Sequence, residues 1–172
     1  GDVGKYTAIT TDSAGKYHVT CLSNERDSGL DFTVKYYSSA SPSFGVVDTG
    51  GILGVYSSLA LDSAKTGTVR VAYTDYQHKD LKYAERNNGT WNVINMGAYG
   101  TGDYASIAVD SADKVHTVEK DLTFQEFHVR TNASGSWVGS TFNPLIAWIG
   151  YPSLAVDANG KDHISFYGEG MY

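Results

Sequence analysis

The chain has 172 residues, of which 41% are hydrophobic and 13% aromatic, and a net charge of −6. This composition supports a buried core in one domain and excludes a disordered polar chain. Without a Lys/Arg cluster nucleic acid is not an expected partner, and no apolar run reaches the ~18 residues of a membrane span.

The opening residues, GDVGKYTAI, carry neither a basic nor an apolar region, so no signal peptide is read there. The first segment that alternates apolar and polar residues follows at once, in GKYTAITTDSAGKYHV. Closely similar segments return as GVYSSLALDSAKTGTVRV, GDYASIAVDSADKVHT and GYPSLAVDANGKDHIS. Their shared residues are Gly4, Gly54, Gly102 and Gly150, then Tyr6, Tyr56, Tyr104 and Tyr151, then Asp12, Asp62, Asp110 and Asp157. The aspartates are 50, 48 and 47 residues apart, a tandem repeat of the length that builds one supersecondary unit.

Within each repeat, period-2 alternation predicts half-buried strands. In the second repeat these are YSSLALD, TVRVAYTD, DLKYAER and TWNVINM, joined by turn-rich clusters. Asp followed by Ser-Ala-Gly, Ser-Ala-Asp or Ala-Asn-Gly is turn chemistry, because the carboxylate accepts backbone N–H groups further along. An aromatic residue, Phe44, Trp91 or Trp137, opens the fourth strand and is expected to cover its edge. Tandem four-stranded units without helical segments predict an all-β fold, a β-propeller of four-stranded antiparallel blades. The expected blades are 1–53, 54–101 and 102–149, with a partial blade at 150–172, about three and a half in all. Closing the ring then calls for a longer chain or for other chains, since propellers use 4 to 8 blades.

Cys21, alone in the sequence, lies on an alternating strand and is expected to be buried and inert. The second strands place His18, Arg70, His116 and His163 at equivalent positions. Three of them follow the repeat Asp by six residues, which suits a structural Asp–His contact better than a metal site, and no metal or cofactor is expected. Asp62, Asp75, Glu85, Asp103, Asp110, Glu119, Asp121 and Glu126 are the carboxylates from which a glycosidase pair could be drawn. Most lie at turns, and Arg26, Arg70, Arg86 and Arg130 are spread over different strands or loops, so no catalytic residue is assigned. Asn88-Gly-Thr and Asn132-Ala-Ser match the glycosylation acceptor pattern in corresponding turns.

The repeat G-x-Y-x-S-(I/L)-A-(V/L)-D-S-x-G-x-x-H-(I/V)-x-Y, with L-K-Y-A and G-(S/T)-W, resembles the bacterial tandem-repeat propellers of the sialidase-like, BNR-like group. The resemblance spans the chain, through YSSLALDS, LKYAERNNGTW and YPSLAVDANGKDHIS. It implies a secreted or cell-surface protein, a non-catalytic scaffold that binds protein or glycan partners through its loops. The alternative it implies is a carbohydrate-binding lectin propeller, and behind that a sialidase-like glycoside hydrolase. Lectin propellers bind between blades with an aromatic platform, an Arg and a carboxylate. The second repeat holds that set in Arg70, Tyr73, Tyr76, Glu85 and Trp91, which are the expected ligand-binding residues.

Overall fold

A computed structural model describes residues 2–24, 32–49, 51–97 and 102–170. Arg26 lies outside them. Among the described residues, fourteen strands form four consecutive sheets. Sheet 1 is a meander of β1 (Asp2–Thr11), β2 (Tyr17–Asn24), β3 (Phe32–Ser38) and β4 (Ser41–Asp48). Sheet 2 contains β5 (Leu53–Leu61), β6 (Val69–Asp75), β7 (Asp80–Asn87) and β8 (Thr90–Asn95). Sheet 3 contains β9 (Asp103–Val109), β10 (Val115–Asp121), β11 (Glu126–Thr131) and β12 (Val138–Phe142). Sheet 4 pairs β13 (Trp148–Val156) with β14 (Asp162–Glu169). All neighbouring strands are antiparallel, and no helix, hence no membrane-spanning helix, occurs among the described residues.

The first strands lie side by side, with β5 packed on both β1 and β9, and β13 on β9. The sheets therefore stack face to face, and a separate apolar cluster fills each interface. Val34, Tyr36 and Val47 meet Leu53, Val69 and Val71 between sheets 1 and 2. Leu81 and Tyr83 meet Ala105, Ile107 and Val115 between sheets 2 and 3. Val118 and Phe127 meet Ile149 and Leu154 between sheets 3 and 4. This stacking corrects the half-buried reading for β6 and β10. Every residue of β6 and β10 is buried, because a sheet covers each face.

Each first strand breaks its register at the same place. Two residues, such as Tyr56 and Ser57, oppose the single Tyr73 between the pairs Val55–Thr74 and Ser58–Ala72. The bulge recurs in β1, β9 and β13. At each bulge the repeat tyrosine takes a left-handed φ, between 50° and 53°. Such a φ is rare for a bulky side chain and bends the strand. The bends bring Tyr6, Tyr56, Tyr104 and Tyr151 into one continuous stack, with successive ring centroids 4.8, 4.1 and 4.4 Å apart.

The repeat aspartates close the first turns as expected. Asp12 Oδ1 accepts the N–H groups of Ala14 and Lys16, and Asp110 and Asp157 repeat the pattern. Backbone N–H bonds, with that of Lys16 foremost, hold the Asp12 carboxyl below the usual range. The second oxygen faces the repeat histidine, at 3.6 Å from His18 and His116 and 3.2 Å from His163. Each histidine thus ties its strand to its own turn.

Candidate functional site

The five residues singled out in the second repeat are distributed over three places. Arg70 is 5% exposed, and its Nε donates to Glu85 at 3.0 Å. Its Nη1 and Nη2 both donate at 2.9 Å to Asp113, on the first turn of sheet 3. Burial opposes the Arg70 charge, but the bonds to Asp113 and Glu85 outweigh it and raise the pKa. Glu85 also accepts from Tyr83 at 2.8 Å. Arg70 and Glu85 are therefore together, in a clasp between sheets 2 and 3. Tyr73 is fully buried, and its hydroxyl donates at 2.7 Å to Asp48 of sheet 1. Tyr76 lies in the β6–β7 turn and is 53% exposed.

Trp91 is elsewhere, beside an open cleft of 420 Å³ between sheets 1 and 2. Its ring meets the buried Tyr36 ring edge-on, with centroids 5.4 Å apart and planes at 77°. Arg86 is the direct cross-strand partner of Trp91, so both side chains leave the hairpin on one face. The Arg86 guanidinium lies 5.3 Å over Tyr36, and no carboxylate pairs with it among the described residues. His18 adds a 2.6 Å contact between its Nδ1 and the Tyr36 hydroxyl. Asp12 Oδ2 faces Nε2 of the same ring at 3.6 Å. Burial raises the Tyr36 pKa and keeps that hydroxyl protonated. Lys16, Ser38 and Ser41 add polar groups to the lining.

Strand register explains why the equivalent position at the next interface is filled, where a smaller cleft of 290 Å³ remains beside Trp137. His18 pairs with Ser38 in sheet 1 at the position where Arg70 pairs with Glu85 in sheet 2. The aromatic pair is retained, for Trp137 meets Tyr83 at 5.2 Å as Trp91 meets Tyr36. The longer Arg70 and Glu85 side chains, joined by Asp113, occupy what His18 and Ser38 leave free. The sequence signal for the missed residue was local. Arg86 and Trp91 flank the Asn88-Gly89 turn, both of whose residues take the left-handed φ that a tight hairpin needs.

The cleft suits a polyhydroxylated ligand. Trp91 supplies an apolar surface, Arg86 a fork of donors, and Asp12 an acceptor. Asp12 is the one carboxylate among the described lining residues. Glu119, which chemistry alone made a candidate acid, is 0% exposed. Its burial pushes the carboxyl up to about 8, against the pull of Arg130. Burial likewise raises the thiol pKa of Cys21, which is 4% exposed.

No family model and no curated protein matches the chain at a significant level. Among solved structures it is similar to a fucose lectin from Kordia zhangzhouensis, in complex with methyl-fucoside. The TM-score is 0.56 at 15% identity, over 80% of this chain and 99% of that one. The likeness is one of fold. It supports an all-β architecture of repeated four-stranded antiparallel sheets, and it gives the sialidase-like, BNR-like group no separate support.

Proposed function

We propose that the chain is a carbohydrate-binding β-propeller of the lectin type, and that the cleft between sheets 1 and 2 takes a sugar residue. The observation that carries the reading is the Arg86–Trp91 pair, set over Tyr36 with its guanidinium free of carboxylates among the described residues. Fold likeness to a fucose lectin favours this reading over a protein-binding scaffold. A secreted or cell-surface location, and closure of the ring by more blades, fit a lectin and belong to the same proposal. Arg70 and Glu85 serve this site indirectly, by holding sheet 2 against sheet 3.

A glycan array identifies the ligand, with methyl-fucoside as the first titrated sugar. Arg86→Gln is expected to weaken binding at least ~10-fold, the effect of losing one charge-assisted bidentate contact of roughly 1.4 kcal/mol or more. Arg70→Gln is expected to lower the melting temperature while leaving the affinity of the folded protein within about threefold. Array binding that Arg86→Gln leaves intact places the sugar elsewhere, and silence across the array rejects the lectin reading.

A further inference from the structure

The other end of sheet 3 carries a cluster that sugar binding does not use. Asp121 and Glu126 face each other across the β10–β11 hairpin, as do Glu119 and His128 one pair further in. Alternation along the strands puts all four side chains on the face turned to sheet 2. One donor atom from each of Asp121, Glu126 and His128 lies within 4.8 Å of the others. His128 Nε2 is 3.3 Å from Asp121 Oδ2 and 3.4 Å from Glu126 Oε1.

Those two distances are long for N–H···O bonds. They match the separation of ligands around a tetrahedral zinc ion, roughly 3.4 Å for bonds of about 2.1 Å. Asp121 is firmly placed, because its Oδ1 accepts the backbone N–H groups of Thr123 and Phe124. That leaves Oδ2 to face His128. On the same face, Glu119, opposite His128 and fully buried, gives one oxygen to Arg130 at 2.6 Å, while its Oε2 has no hydrogen-bond partner among the described residues.

Comparison with the other sheets supplies the missing charge. The position of His128 is held by Lys35 in sheet 1 and Lys82 in sheet 2, judged by strand register. In sheet 2 the Lys82 ammonium lies 2.8 Å from Asp48 and 3.8 Å from Asp75, so the hairpin carries its own cation. Sheet 3 keeps the hairpin carboxylates, Asp121 for Asp75 and Glu126 for Asp80, but places an imidazole where the ammonium stood.

We infer that Asp121, Glu126 and His128 form a binding site for a divalent transition-metal cation of the Zn²⁺ type. The imidazole nitrogen favours such an ion over Ca²⁺ or Mg²⁺. Coordination through Nε2 puts the ring proton on Nδ1, so the 3.4 Å contact of Nδ1 with Arg130 gives way while Arg130 keeps Glu119. Three protein ligands leave a fourth position open. The site lies at the β10–β11 end of the sheets, whereas the cleft is built from the opposite turns, so its test is independent of any sugar.

The experiment titrates Zn²⁺, with Ca²⁺ in parallel, into the metal-stripped protein and reads bound equivalents and melting temperature. One tight equivalent of Zn²⁺ is expected, with a rise of roughly 5 °C at 100 times its Kd and no comparable response to Ca²⁺. His163→Gln, which alters an exposed Asp–His pair elsewhere, is expected to retain this behaviour. His128→Gln is expected to bind at least ~10-fold more weakly. His128→Lys imitates sheet 2 and separates ligand loss from unfolding, since it is expected to melt no lower than the stripped wild type and to ignore Zn²⁺. An equal Zn²⁺ shift in His128→Lys and wild type, an equal response to Ca²⁺, or no tight equivalent in the wild type overturns the assignment.

Discussion

Single residues set how closely the sheets approach. A Cβ at Gly102 would lie 2.1 Å from the Asp80 carbonyl carbon and 2.2 Å from the Leu81 nitrogen, both rigid backbone atoms. The absence of a side chain therefore lets β9 reach sheet 2, where the Thr74 hydroxyl donates to the Gly102 carbonyl. Gly102→Ala is expected to cost about 1–3 kcal/mol by forcing that contact apart. Gly139→Ala is the control, because its Cβ would meet only ordinary contacts at 3.5 Å and beyond. Urea midpoints compare the two, and a Gly102→Ala midpoint equal to that of Gly139→Ala would show that the approach is not tight. The repeat tyrosines act at the same scale. Each carries a strained backbone angle, and each gains ring contacts worth roughly 0.5–1.5 kcal/mol per pair in return.

Among the elements, the first turns of sheets 2 and 3 have a double role, closing their own hairpins and reaching the preceding sheet. The clearest case is Asp113, which binds Arg70 with both oxygens and also accepts the Ser63 N–H. The Arg70 bonds are the largest cause holding its carboxyl below the ordinary 3.8. Since the folded pKa is the lower one, the clasp contributes stability above pH 3.8 and loses it as pH falls through the folded value. Asp113→Asn is expected to flatten the acid limb of the stability profile below pH 4. A limb as steep as that of the wild type would assign the acid loss to other carboxylates. Half-exposed groups make this effect modest.

The clasp also shows what could be read from the residues and what could not. Turn aspartates were legible because their partners lie two and four residues away. The repeat itself was legible because four copies stand in one chain. The bulge was hidden, since an alternating pattern hardly registers one added residue and a left-handed tyrosine contradicts local preference. The cleft was hidden for another reason. Arg70 and Glu85 have the chemistry of a binding site, but only the register shows that they satisfy each other and Asp113. Free space follows from the smaller pair, His18 and Ser38, one repeat earlier, and Arg86 lines that space.

At the scale of the whole molecule, the stack has no common centre of hydrophobic packing but one apolar layer per interface. Each layer joins only neighbouring sheets, so protection from solvent should follow position within the stack. β6 and β10 are buried throughout and bonded to a strand on either side. β12 is an edge strand with every residue exposed. Opening β12 breaks one ladder and uncovers little apolar surface, whereas opening β10 breaks two ladders and two layers, including Val115 on one face and Val118 on the other. Amide hydrogen exchange is therefore expected to be slowest in β6 and β10 and at least ~100-fold faster in β12, because a difference of about 2.7 kcal/mol in opening energy gives that ratio. Similar protection in β12 and β10 would mean that the sheets unfold only as one body. In that case the interface carrying the cleft could not loosen independently of the rest.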